Sequence, residues 1–155
     1  MDLRISFPGG KRVDASFDGH VVRTDQPVAA GGEDSAPAPF DLFLASLGTC
    51  AGIYVVGFCQ ARGISLEGVE MVQRVTYDPE TKLPSQIAID IDLPPSFPDK
   101  YREAVRRVAE KCKVKAVIAA PPEITVHVSR PKSEVAGESP GSGTSSTTEA
   151  PSHGA

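Results

Sequence analysis

From Leu42 to Cys59 the chain carries no charged residue. A run of that length has two ordinary destinations, a bilayer or the middle of a protein core. Gly48, Thr49, Cys50, Gly52 and Gly57 dilute its hydrophobicity, and few lysines or arginines flank it to set an orientation across a membrane. A wholly buried helix is therefore the expectation. Pro39 suits its first position, where a missing N–H costs nothing, and Asp41 suits the positive helix start. Phe43, Leu47, Cys50, Tyr54 and Phe58 follow the i, i+3, i+4 rule and form one stripe, with Gly63 as the stop. Gly48 and Gly52 lie four apart, so another backbone can pass close to that face.

The segments around this helix read as strands, so the fold class is α+β. Leu3–Phe7, Arg12–Phe17 and His20–Thr24 alternate apolar and polar residues. Pro8-Gly9-Gly10 and Asp18-Gly19 are turn signals, so the three form an N-terminal β-meander. A loop rich in Gly, Ala and Pro follows, from Gln26 to Ala38. After the helix, Val69–Tyr77 and Ser85–Leu93 alternate again, joined by a turn from Asp78 to Pro84. Ser96 to Asp99 has the spacing of a capping box. It opens a second helix, Tyr101–Cys112, which turns Tyr101, Ala104, Val105, Val108 and Cys112 inward. A short apolar turn, Val114–Ala120, leads to an expected last strand, Glu123–Val128. Residues 1–130 thus make one domain. Residues 131–155 are mostly Ser, Thr, Gly, Pro, Ala and Glu, with one Val and no Phe, Tyr or Trp, a composition that predicts a disordered tail.

Charge and cysteine count narrow the function. The net charge is −4, which gives no basic footprint for nucleic acid. Three cysteines are too few for a secreted disulfide scaffold, and Met1-Asp-Leu-Arg-Ile-Ser lacks the layout of a signal peptide. A cytoplasmic protein is expected, with no membrane span. In that compartment a cysteine pair more often does chemistry than holds a fold together.

Cys50 and Cys112 both lie on inward stripes, and two thiols on packing faces can meet. The pair is the candidate catalytic site, with Cα atoms expected within about 7 Å in a bridged state. Cys50 lies mid-helix and needs a cation or a hydrogen-bond donor from another element to become a thiolate. Lys111, Lys113 and Lys115 crowd Cys112, whereas the end of the helix carrying it opposes a thiolate. A cysteine on an apolar stripe is also, quite ordinarily, a small hydrophobe. Cys59 is assigned to packing. No cofactor or metal site is expected: no Cys-x-x-Cys exists, His20, His127 and His153 are scattered, and no Gly-rich phosphate loop is found.

The order of elements, the two cysteines and the segment Gly31-Gly32-Glu33-Asp34-Ser35-Ala36-Pro37-Ala38-Pro39 resemble the OsmC/Ohr family of osmotically induced and organic-hydroperoxide-resistance proteins, in its OsmC-like branch. The resemblance covers about Met1 to Arg130. It implies an intertwined homodimer with sites at the subunit interface. It implies that Cys50 attacks a peroxide, that Cys112 resolves the product, and that a dithiol reductant restores both. Active members carry a Glu ten positions before the first cysteine and an Arg just before the first hairpin's tight turn; here Phe40 and Phe17 stand there. The residue after the second cysteine, often Pro in the family, is Lys113. These departures leave a second reading, a non-enzymatic protein that binds a small apolar ligand on the same scaffold.

Overall fold

The computed structural model describes residues 1–128. The chain divides into two units, Met1–Pro122 and the segment from Glu123 onward. The expected tail, residues 131–155, lies outside the described residues.

The first unit opens with the expected meander. β1 (Arg4–Gly9), β2 (Arg12–Phe17) and β3 (His20–Thr24) pair antiparallel in that order. Asp18 and Gly19 both take positive φ, as a two-residue hairpin turn with the strands' twist requires. The meander shelters little apolar surface of its own: Leu3, Ile5, Phe7 and Val21 are each more than half exposed.

After β3 the chain enters a loop organised by one carboxylate. Asp25 is buried and accepts hydrogen bonds from the backbone N–H groups of Gln26, Glu33 and Ser35 and from the Ser35 hydroxyl. The Ser35 hydroxyl and these amides pull its pKa down to about 2. The stability this supplies is present above the ordinary carboxylate range and is lost as pH falls through about 2. Gly32 is obligatory here, since a Cβ would lie 1.9 Å from the Gln26 carbonyl oxygen.

α1 (Pro39–Gln60) is the expected core helix, and it ends three residues before Gly63. Its buried face is Leu44, Leu47, Ala51, Val55, Phe58 and Cys59. That face is rotated from the stripe expected from sequence, so Phe43 is exposed and Cys59 is buried. The run was apolar on every side, so periodicity alone could not choose the face; the neighbours chose it. One neighbour is the antiparallel hairpin of β4 (Glu70–Tyr77) and β5 (Pro84–Asp92). Another is α2 (Arg102–Ala109), entered through a 3₁₀ turn at Asp99–Tyr101.

Val55, Phe58, Cys59, Phe97 and Val105 form the centre of the core, ringed by residues that include Leu66, Met71, Ile91 and Tyr101. Burying a Val or Phe side chain contributes roughly 1.5–3 kcal/mol. Gly48 and Gly52 admit β4 rather than a second helix. A Cβ on Gly48 would lie 3.0 Å from Gln73 Oε1, and one on Gly52 would lie 3.8 Å from Met71 Sδ. The Gln73 amide donates to the Leu44 carbonyl at 2.9 Å and so registers β4 on α1.

Three local expectations are corrected. The capping box at Ser96–Asp99 makes no side-chain cap; Asp99 instead accepts from Arg102 Nε at 2.9 Å. The second helix stops at Ala109, before Cys112, and the expected apolar turn is a third helix, α3 (Lys113–Ala119). Its stop had a sequence signal in Pro121-Pro122, since proline commonly follows a helix end. In the second unit, Glu123–Val128 form no strand among the described residues, and Ile124, Val126 and Val128 are exposed. An alternating pattern becomes a strand only where another strand completes its hydrogen bonds.

Candidate thiol site

Cys112 lies between α2 and α3 and serves as the N-cap of α3. Its backbone is not helical, with φ −54° and ψ 124°, and its sulfur accepts from the Lys115 N–H at 3.4 Å. The Cys112 sulfur therefore faces the donor end of a helix, not the C-terminal carbonyls expected from sequence. On its other side the Cys112 thiol donates to the Leu47 carbonyl of α1 at 3.8 Å. Cys112 is 3% exposed.

Leu47 is one turn ahead of Cys50, so this contact seats α3 beside the Cys50 thiol. Cys50 is partly exposed, and no disulfide is formed. The backbone N–H of Val114, the Cys112 thiol, the backbone N–H of Lys113 and the Lys113 charge together hold the Cys50 pKa below that of an ordinary thiol, against a smaller opposing effect of burial. The Cys112 proton thus has two acceptors within reach, the Leu47 carbonyl and a Cys50 thiolate. Cys50 finds its donors and its cation on another element, as its mid-helix position required.

Cys59, nine residues on, is 0% exposed among Val55, Phe58, Phe97 and Val105. Burial pushes its pKa up, with Arg62 opposing weakly. Phe40 stacks on Phe43 with ring centroids 5.7 Å apart, and Phe17 faces His20 across the hairpin at 6.0 Å. No group of three or more His, Cys, Asp or Glu side chains fit to hold a metal ion occurs among the described residues.

The comparisons with known proteins follow the same outline. The family model described as OsmC-like protein matches residues 32–127, from the Asp25-held loop through α3. This chain belongs to the OsmC-like family. The fold is shared with a Psychrobacter arcticus protein named for osmotic stress and the detoxification response. The two are 22% identical, with a TM-score of 0.63 over 74% of this chain and 85% of that one. An organic hydroperoxide resistance protein OsmC from Legionella pneumophila is also 22% identical, with a TM-score of 0.47 over 76% of this chain and 89% of that one. At these identities the likeness concerns the fold. No curated protein matches the chain.

Proposed function

We propose that this OsmC-like protein reduces organic hydroperoxides with the Cys50–Cys112 pair. The observation that carries the reading is Cys112 at the N-cap of α3, hydrogen-bonded to α1 one turn from Cys50. The Cys50 thiolate attacks the peroxide oxygen; the O–O bond breaks, and the alkoxide takes a proton and leaves as the alcohol. Cys50 is then a sulfenic acid. The Cys112 thiol displaces its hydroxyl as water and forms a disulfide. A dithiol reductant returns both thiols and is itself oxidised to a disulfide. The reducing cytoplasm suits such a cycle.

The Arg and Glu of the resemblance are replaced by Phe17 and Phe40, and thiolate activation here is local to α3. The Val114 amide, the Cys112 thiol, the Lys113 amide and the Lys113 charge all favour the Cys50 anion. Phe17 packs against His20 across the hairpin and Phe40 against Phe43 within α1.

The same reading includes a homodimer. Ile53 on α1 is 62% exposed and Phe7 on β1 is 79% exposed, so both leave large apolar side chains in water. A second copy of the chain covers both. Light scattering at micromolar concentration should give a dimer; a monomer removes that part.

The activity is tested by following cumene hydroperoxide with dithiothreitol as reductant. Wild type should consume it catalytically, and Cys50→Ser should fall to the protein-free rate. Equal turnover by the two proteins would end the proposal.

A further inference from the structure

The first N–H groups of a helix have no carbonyl partner within it, and side-chain oxygens ordinarily take them. In α3 sulfur takes them. The Lys115 N–H donates to the Cys112 sulfur at 3.4 Å, and the N–H groups of Lys113 and Val114 donate to the sulfur of Cys50. Little else holds this helix. It has seven residues, none of them buried, and Val117 and Ile118 are about half exposed. Isolated helices shorter than roughly 12–15 residues are marginal in water. The buried Cys112, donating to the Leu47 carbonyl at 3.8 Å, is the anchor of its first turn.

We propose that α3 is a redox-responsive segment, folded while Cys50 and Cys112 are thiols and frayed when a disulfide joins them. The inference rests on the two cysteines forming a bridge, as in the function proposed above, and concerns what that bridge does to the fold.

Three contacts weaken together on bridging. The hydrogen bond from the Cys112 thiol to Leu47 is lost with its proton. The Cys50 sulfur can no longer ionise, and a charged acceptor binds an N–H about twice as strongly as a neutral one. The coupling is reciprocal: amides that favour the Cys50 anion are themselves held less by a neutral sulfur. The Cys112 sulfur, a weak acceptor at best, turns toward Cys50 and away from the Lys115 N–H. The new bond ties Cys112 to α1 and fastens no residue of α3 beyond that cap.

The oxidation balances with an organic hydroperoxide. The O–O bond breaks, the two sulfurs supply two electrons and join, and alcohol and water leave with the two thiol protons.

Hydrogen–deuterium exchange of the full chain, read by mass spectrometry, tests the inference. The bridge is made with diamide, whose N=N bond takes up the two electrons and two protons, so the test does not depend on peroxide chemistry. Peptides over residues 113–119 should exchange about five- to tenfold faster in the bridged protein than in the reduced one, the scale of losing a helix cap. Peptides from β4 and β5 should be unchanged. Equal or slower exchange over 113–119 overturns the inference, as does faster exchange throughout or a protein in which diamide makes no Cys50–Cys112 bridge. Two variants separate capping from oxidation. Cys112→Ala has no cap and should exchange fast over 113–119 without any oxidant. Cys112→Ser keeps a hydroxyl cap and cannot bridge, so α3 should stay protected before and after diamide. Wild-type protection in the alanine variant, or loosening of the serine variant by diamide, ends the proposal. A bridge that frays α3 in a protein that consumes no hydroperoxide removes the activity proposed above and leaves this inference standing.

Discussion

The middle of α1 and its C-terminal end each hold a thiol, and the two thiols are pushed in opposite directions. Around Cys59 the helix meets Phe97 and Val105, side chains with nothing to offer an anion, and burial raises the pKa. Around Cys50 it meets the start of α3, where backbone N–H groups point outward and Lys113 adds a positive charge; the pKa falls. Residue type, helix and apolar setting in the sequence are the same. A helix supplies spacing, and the element packed across it supplies the chemistry. Burial by itself raises a thiol pKa, whereas neighbouring N–H donors and a cation lower it.

The comparison breaks most sharply if Cys112 is not the partner of Cys50. Cys112→Ser should consume about one equivalent of hydroperoxide per chain and then stop, leaving a sulfenic acid on Cys50 that dimedone traps. Without added thiol, equal dimedone labelling of Cys50 in wild type and variant would show that Cys112 resolves nothing.

The opposite end of α1 should respond in stability alone. Cys59→Ser places a hydroxyl among Val55, Phe58, Phe97 and Val105, at a cost of about 1–3 kcal/mol. Urea unfolding should show that loss, while hydroperoxide turnover per folded molecule stays at the wild-type rate. A fall in turnover with stability intact would make Cys59 part of the chemistry.

Titration sharpens the contrast with a smaller effect. Iodoacetamide reacts with thiolates, so the alkylation rate of Cys50 should reach half its maximum below the ordinary thiol value of about 8.5. Cys59 should lag above that value, if it reacts in the folded protein at all. The sign of the linkage differs too. The stability tied to the lowered Cys50 pKa is present above the unfolded value and is lost as pH falls through the folded one. Lys113→Ala removes the smallest of the favourable influences on Cys50. It should move the alkylation profile upward and slow the reaction at neutral pH by about twofold, less at high salt. An unmoved profile, read by mass spectrometry across pH, would leave the amides as the whole cause.

Much of this molecule was legible from its residues. The alternation of Arg12–Phe17 and the Asp18-Gly19 turn specify a hairpin, because side-chain period and backbone twist are local properties. The uncharged run from Leu42 to Cys59 specifies a core helix, and Cys50 and Cys112 on apolar stripes point to a candidate thiol pair. The rotation of α1 was not legible, since a helix apolar all round has no preferred face until Gln73 and Val105 pack on it. Nor was α3 recognised: Cys112 is an unusual N-cap and lysines are not typical of a helix start. Asp25 carried no signal of its own in the sequence, because its donors at Gln26, Glu33 and Ser35 converge only when the loop closes.

What the sequence by itself determined is therefore the set of elements with local periodicity and the identity of the two candidate thiols. Tertiary structure alone decided which thiol is activated. Cys50 and Cys59 stand on one continuous helix, and a pKa depends on the dipoles and charges within a few ångströms of the sulfur. Those come from Lys113 and Val114, more than sixty residues away along the chain and adjacent only in the fold.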